Sequence, residues 1–518
     1  MLPLSTLMAG SANGPQMTVG TLARPGVVLA CVVACLLSSA PSRAESAELS
    51  LDEVVRTALE RNLQLRTQTY APAIAETDIR KARGIYDPLF TTLLDHRYAE
   101  RQASPLSSFG VERRFFDFDV ALQQLLPTGA TAKASFVNIW NRDNLGLDTS
   151  NAVTPELTLS LSQPLLQGLG REVTERGITA ADDAMDIALA EWNQKALDTA
   201  AEARNAYLAL VKARESLATR KASLALARHV HAENQERVKA GALAAFQLQD
   251  SELGVLAREK DILDAELAVK DQADRLRLAL NLPAGTVVEP SDTTWNTPPE
   301  ISEEDALRTA LRRRPDLAKA RTALRTAEFN ERISRNLALP SFALEGAVGV
   351  TGTATDWGNA FDEMRTGKYP AWSVGLNFSV PLGNTAARAD VAAGRLKASQ
   401  GRSQVSALEE SAALEVRSAL RTIETRRKQI AVAEKGVAVA ETRLASYLKR
   451  GKLGLATTKD VLDAESGLTQ GREFLSGSRA DLQSALTDLW RNTGELLDRH
   501  GVRIDRNSIP TNTRKEKP

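Results

Sequence analysis

The chain of 518 residues carries 65 basic and 65 acidic side chains, with 43% hydrophobic and 25% charged residues, so bulk charge selects neither a nucleic-acid partner nor an acidic disordered chain. Aromatic residues, at 5%, are few for a compact enzyme of this length and ordinary for long helices rich in Ala, Leu, Glu and Arg. The only cysteines, Cys31 and Cys35, share one N-terminal apolar run; removing it leaves no thiol for a disulfide, a zinc site or a nucleophile.

Arg24 precedes an apolar run from Val27 to Leu37, and Ser42-Arg43-Ala44 places small residues where a signal peptidase reads. The run is shorter than the ~20 residues a membrane span needs. This predicts a signal peptide over 1–44, cleaved near Ala44, rather than a buried helix or an anchor; lipidation of Cys35 stays open. No later stretch is apolar enough for a transmembrane helix, so further membrane insertion must use strands.

An internal repeat organises the rest. The segment Leu49 to Leu59 returns as Ile301 to Leu311, an offset of 252, and each copy opens a helix. Ser162-Gln163-Pro164-Leu165 returns as Ser379-Val380-Pro381-Leu382, an offset of 217, each ending a strand ahead of a long helix. Gly241-Ala242-Leu243-Ala244 matches Gly454-Leu455-Ala456-Thr457, an offset of 213, each between two helices. The shrinking offset assigns about 35 extra residues to the strand region of the first half, where Phe115 to Trp140 reads as an added hairpin around Pro127-Thr128-Gly129. The predicted organisation is a first repeat over 45–282, with a helix, strands over about 88–165 and a long helical hairpin over about 171–282. A linker over 283–300 follows, punctuated by Pro283, Pro290, Pro298 and Pro299. The second repeat covers 301–494, with strands over about 341–382 and a hairpin over about 386–494, and 495–518 form a tail.

In the first long helix Leu189, Ala196, Ala203, Leu210, Leu217 and Leu224 recur every seven residues; in the second, Val416, Ile423, Ile430, Val437 and Leu444 do the same. That step is a coiled-coil seam. Proline-free stretches from about Arg171 to Lys239 and Ala386 to Arg450 allow helices on the order of 100 Å long. Small residues such as Ala200, Ala203, Ala431 and Ala438 let neighbouring helices approach on more than one side, as in a cylinder of helices; a solvated two-stranded coiled coil is the alternative.

The strand candidates alternate. Leu157, Leu159 and Leu161 interleave with Thr158 and Ser160, and Val374, Leu376 and Phe378 with Gly375 and Asn377; Phe342, Leu344, Val348 and Val350, and Phe116, Phe118, Val120 and Leu122, follow suit, while Leu89 to Tyr98 is a poorer candidate. An apolar face opposite a small, polar one suits a barrel wall, or a small sandwich packed on the helices. Four to six strands cannot close a transmembrane barrel, which takes at least 8, so membrane strands would require oligomerisation.

Together these features resemble the TolC-like outer-membrane efflux channels. The resemblance rests on the duplicated opening helix, the strand endings Gln163-Pro164-Leu165 and Val380-Pro381-Leu382, and above all the run Gly454 to Ala464. It implies a mainly α fold with membrane β: a trimeric TolC-like α/β-barrel of two internal structural repeats, with long periplasmic helical hairpins and a few transmembrane strands per protomer. By the family pattern those are four strands, closing a shared barrel of 12. It further implies a homotrimer in the outer membrane, contacting lipid, with helices in the periplasm. Such a channel passively conducts substrates delivered by an inner-membrane pump through a periplasmic adaptor, without catalysis, cofactor or nucleic acid.

Residue by residue, the resemblance implies adaptor docking at the hairpin turns, through Leu453, Gly454, Leu455 and Ala456, which fit the family motif well, and Gly241, Ala242 and Leu243, which fit it poorly. It implies a periplasmic gate at Asp460 and Asp463, where threefold symmetry would gather six carboxylates; the other reading of these acids is stabilisation of a helix N-terminus. The family's gate-locking arginine is replaced by Ala456, and its aspartate and tyrosine partners by Gln247 and Gly451. His229 and His231, two apart on a helix, diverge too far to share a metal and read as surface residues; His96 and His500 read as isolated. No phosphate loop, zinc-protease motif or nucleophile elbow occurs. The expected function is an outer-membrane conduit; a soluble periplasmic coiled-coil scaffold or adaptor is the alternative.

Overall fold

The computed structural model describes residues 46–101, 111–143, 151–283, 285–291, 295 and 300–506. The expected signal peptide, Cys31, Cys35, Pro298, Pro299 and the end of the tail lie outside the described residues. The first half runs β1 (Ser46–Leu49), α1 (Leu51–Arg61), α2 (Leu63–Arg83), β2 (Leu89–Arg101), β3 (Val111–Leu125), β4 (Thr131–Asp143), β5 (Asn151–Pro164), a single turn α3 (Arg171–Thr174), α4 (Arg176–Lys239) and α5 (Ala245–Ala279). Strand β6 (Val287–Pro290) leads into the second half, formed by α6 (Glu303–Arg313), α7 (Pro315–Leu337), β7 (Ser341–Thr351), α8 (Trp357–Arg365), β8 (Tyr369–Ser379), α9 (Thr385–Lys452), α10 (Thr458–Thr493) and α11 (Leu496–Arg499).

The long helices α4, of 64 residues, and α9, of 68, follow the two heptad seams. Ala196, Ala203 and Leu210 on one, and Val416, Ile423 and Leu444 on the other, are buried. Beside the hairpin turns the packing order is α5–α4–α10–α9; towards the sheet α2 and α7 replace α5 and α10, giving α2–α4–α7–α9. Each opening helix covers its own half's seam midway. Val54 and Ala58 of α1 pack with Ala203, Tyr207 and Leu210, and Ala306 and Ala310 of α6 with Val416, Ile423 and Leu486. Helix α1 is fixed by a capping box, in which Ser50 Oγ accepts the Glu53 N–H and the Glu53 carboxylate accepts the Ser50 N–H at 2.8 Å.

Two features of this middle belt depart from the expectations. The linker contributes β6, which pairs in parallel with β1, Ser46 opposite Val287 and Leu49 opposite Pro290. His500, read as isolated, is buried: its Nδ1 lies 2.8 Å from Asp52 Oδ1 and its Nε2 3.4 Å from Arg204 Nη1. Arg204 is itself buried, stacks on Trp490 and donates to Thr487 Oγ1 at 2.8 Å; burial lowers its pKa to about 10.

The remaining six described strands form one antiparallel sheet in the order β2-β3-β4-β5-β7-β8. The sheet holds two strands more than the four of the family pattern. The added hairpin is real and forms β3 and β4 around Pro127-Thr128-Gly129, while Leu89 to Tyr98 is part of β2, a strand of 13 residues. Its alternation is obscured in sequence because Leu89, Phe90, Leu93 and Leu94 load both faces. Gly129 takes a φ of +87°, and a Cβ there would meet the Gly168 carbonyl oxygen at 2.5 Å. Gly129→Ala is therefore expected to cost on the order of 1–3 kcal/mol, read as a thermal unfolding temperature lower than that of the wild type.

Candidate functional site at the hairpin tips

The two helical hairpins end in turns of the same build. In the first, Gly241 has a φ of +69° and the Ala242 N–H reaches back to the Arg237 carbonyl at 2.8 Å; in the second, Gly454 has a φ of +73° and the Leu455 N–H bonds the Arg450 carbonyl at 2.8 Å. This is the glycine-terminated helix end in which a left-handed residue lets the next N–H satisfy a terminal carbonyl. The tips differ in what they display. Leu453 and Leu455 are exposed at the second turn, 73% and 67%, with Gly454 exposed and Ala456 partly buried. The first turn exposes Gly241 and Ala242 and half-buries Leu243. A cleft of about 460 Å³ lies between the turns, lined by residues of both, including Arg237, Leu243, Gln247, Leu455, Thr458 and Asp460.

Of the two gate candidates, Asp460 serves its own helix. Its carboxylate accepts the Thr457 N–H at 2.8 Å and the Thr457 hydroxyl at 2.7 Å, while its N–H donates back to Thr457 Oγ1 at 3.2 Å. These bonds hold its carboxyl below the usual carboxylate range. Asp463, one turn on, is exposed. Because the folded pKa of Asp460 is depressed, its contribution is present above the unfolded value of about 3.9 and lost as pH falls through the folded one. Amide exchange over 457–463 should therefore accelerate on acidification below that range, and Asp460→Asn should remove most of this dependence.

Polar contacts that the sequence analysis did not identify join the two hairpins here. Arg237 of α4 donates to the Gly451 carbonyl at 3.0 Å, and Asn234 Nδ2 to Thr458 Oγ1 at 2.9 Å. Deeper, Arg258 of α5 donates to Glu465 Oε2 at 2.7 Å and to the Leu462 carbonyl at 3.1 Å, while Thr469 Oγ1 donates to Glu465 Oε1 at 2.7 Å. Glu465 is only 3% exposed. These contacts tie the first hairpin to the second just above the turns. A carboxylate within the apolar stripe Val461, Ala464 and Leu468 was the available signal. His231, read as a surface residue, is partly buried with its Nδ1 2.9 Å from Ser251 Oγ on the facing helix; His229 is exposed.

Comparison with known proteins agrees with this architecture. Residues 306–495 match the outer membrane efflux protein family. A curated relative, nodulation protein T of Rhizobium leguminosarum bv. trifolii, is 26% identical over 253 residues, 48% of this chain and 52% of its own; the chain thus spans about half the length of that relative. Among solved structures, the CmeC outer membrane channel of Campylobacter jejuni is similar with a TM-score of 0.60 at 16% identity, over 88% of this chain and 90% of that one. VceC of Vibrio cholerae gives 0.60 at 18%, over 86% and 96%. The MtrE outer membrane channel of Neisseria gonorrhoeae gives 0.59 at 18%, over 88% and 94%. The outer-membrane location expected from the leader and the strands, with helices reaching into the periplasm, agrees with these findings. Residues 306–495 are thus similar to the outer membrane efflux protein family, and the chain as a whole carries the TolC-like channel fold.

Proposed function

We propose that the protein is the outer-membrane conduit of a tripartite efflux or type I secretion system. In this reading it is a homotrimer that receives substrates from an inner-membrane pump through a periplasmic adaptor and passes them on without catalysis or cofactor. The observation that carries it is that one protomer leaves both lateral edges unfinished. Strands β2 and β8 end the sheet with unpaired edges, which lipid does not tolerate. The edge helices leave apolar faces bare: Leu253, Leu256, Leu263 and Leu267 on α5, and Val432 and Val439 on α9. A ring of copies, each joining one edge to the other edge of its neighbour, covers all of these at once. Against a soluble scaffold stands β8, exposed along its whole length with Trp372, Val374, Leu376 and Phe378 on one face.

The tips supply the second half of the reading. Exposed Leu453 and Leu455 beside the cleft form a small apolar knob on a rigid turn, suited to docking an adaptor, with Gly241, Ala242 and Leu243 forming the other lip and Ala456 closing the second turn. Asp463, and Asp460 at its edge, would line the axial gate. Extraction from outer membranes should require detergent, and the purified protein should have the mass of three chains; a stable monomer refutes the reading. Leu455→Asp should leave that trimer intact and reduce export in cells at least tenfold, because it puts a charge into an interface held by apolar contact.

A further inference from the structure

The inserted hairpin changes the count of strands in the wall. By the repeat offsets, β7 corresponds to β2 and β8 to β5, so β3 and β4 are the strands without a counterpart in the second half. In the second half the two corresponding strands pair directly, Leu344 opposite Leu376 and Val348 opposite Trp372. In the first half β2 and β5 do not touch: each bonds instead to the inserted hairpin, β2 to β3 from Leu89–Gln123 to Arg101–Val111, and β4 to β5 from Thr131–Ser162 to Arg142–Asn151. The hairpin therefore stands inside the sheet rather than beside it.

Its chemistry continues that of the wall. The registers put Phe118, Val120 and Leu122 of β3 and Phe136 of β4 on the same face as Leu157 and Leu159 of β5, while Asp117 and Asp119 fall on the other face with Asp95 and Arg97 of β2. At 15 and 13 residues the two strands exceed the 9–11 that cross a bilayer at a tilt. Their turn is built into the base of the sheet: the Gly170 N–H donates to the Thr128 carbonyl at 3.0 Å and the Thr128 hydroxyl to Gln163 at 2.9 Å, beside the start of the long helix.

We propose that β3 and β4 cross the membrane as part of the barrel wall, so that a trimer closes a barrel of 18 strands and not 12, with Asp95, Arg97, Asp117 and Asp119 facing the lumen. The proposal rests on the trimeric reading above. With strands 4.8 Å apart and tilted near 40°, such a barrel is about 36 Å across between backbones, against about 24 Å for 12 strands. The lumen then flares where it leaves the helical tunnel, and each protomer brings to it the ion pairs of Arg97 with Asp95 and Asp117.

The test uses the full-length protein in lipid vesicles, with single cysteines at Asp119, Val120, Ala121 and Leu122 and a charged, membrane-impermeant maleimide. Asp119→Cys and Ala121→Cys should react at least tenfold faster than Val120→Cys and Leu122→Cys. Electron cryo-microscopy of the unsubstituted protein should count 18 strands, which keeps the question decidable if a variant misfolds. A trimer with four equally reactive positions, or with 12 strands, overturns this inference and leaves the conduit reading standing. A monomer by mass overturns both.

Discussion

Replacing Leu256 and Leu263 together by glutamate is expected to leave the protein monomeric in mild detergent, with its helix content unchanged. Both side chains are more than half exposed in the single chain and lie one heptad apart on α5, the helix at the free edge of the tip bundle. Full burial of a leucine contributes about 1.5–3 kcal/mol. With about 60% of each side chain left to bury, two per interface over three interfaces amount to roughly 5–11 kcal/mol for a trimer, and six desolvated carboxylates would act in the same direction. Mass measurement and circular dichroism check the two halves of the prediction. A substituted protein that stays trimeric would mean that this face of α5 meets no neighbouring copy.

Glu465→Ala is expected to loosen the tip without dissolving the trimer. The substitution leaves Arg258, whose side chain is 15% exposed, without its carboxylate, and an uncompensated buried charge costs about 3–5 kcal/mol. The cost falls where α5 meets α10, so opening should be local. The expected signs are protease cleavage within 240–244 and 453–457 under conditions where the wild type resists, and a higher steady conductance in planar bilayers. Arg258→Ala should cost at least as much, because it strands the more deeply buried Glu465 carboxylate with only the Thr469 hydroxyl as a partner, and it gives up the bond to the Leu462 carbonyl as well. Equal protease resistance in wild type and Glu465→Ala would show that the pair does not hold the two hairpins together.

Much of the tip was legible in the sequence because its geometry is local. Glycines 241 and 454 sit where a helix must stop and reverse, and both adopt the left-handed conformation that few other residues accept. The cap formed by Thr457 and Asp460 spans three residues and follows from residue type alone. The gate assignment was harder to read, since a first-turn aspartate has the same sequence signature whether it caps its helix or faces a pore. Arg237, Arg258 and Glu465 escaped notice because their partners lie more than 200 residues away in the chain.

By itself the sequence determined the repeat, the seven-residue seams of α4 and α9, the turn glycines, and the alternation of most strands. The seams and the alternation are periodicities of one element, near 3.6 or 2 residues per repeat, and the glycines meet a local backbone demand, so each is written into neighbouring positions, while the repeat is the same local pattern written twice. Tertiary structure alone decided that β2 and β5 stand apart with a hairpin between them, that β1 finds β6, and that His500 closes onto Asp52 across 448 residues. Pairing and register between distant segments depend on which surfaces meet once the helices have packed, and no local pattern encodes that choice.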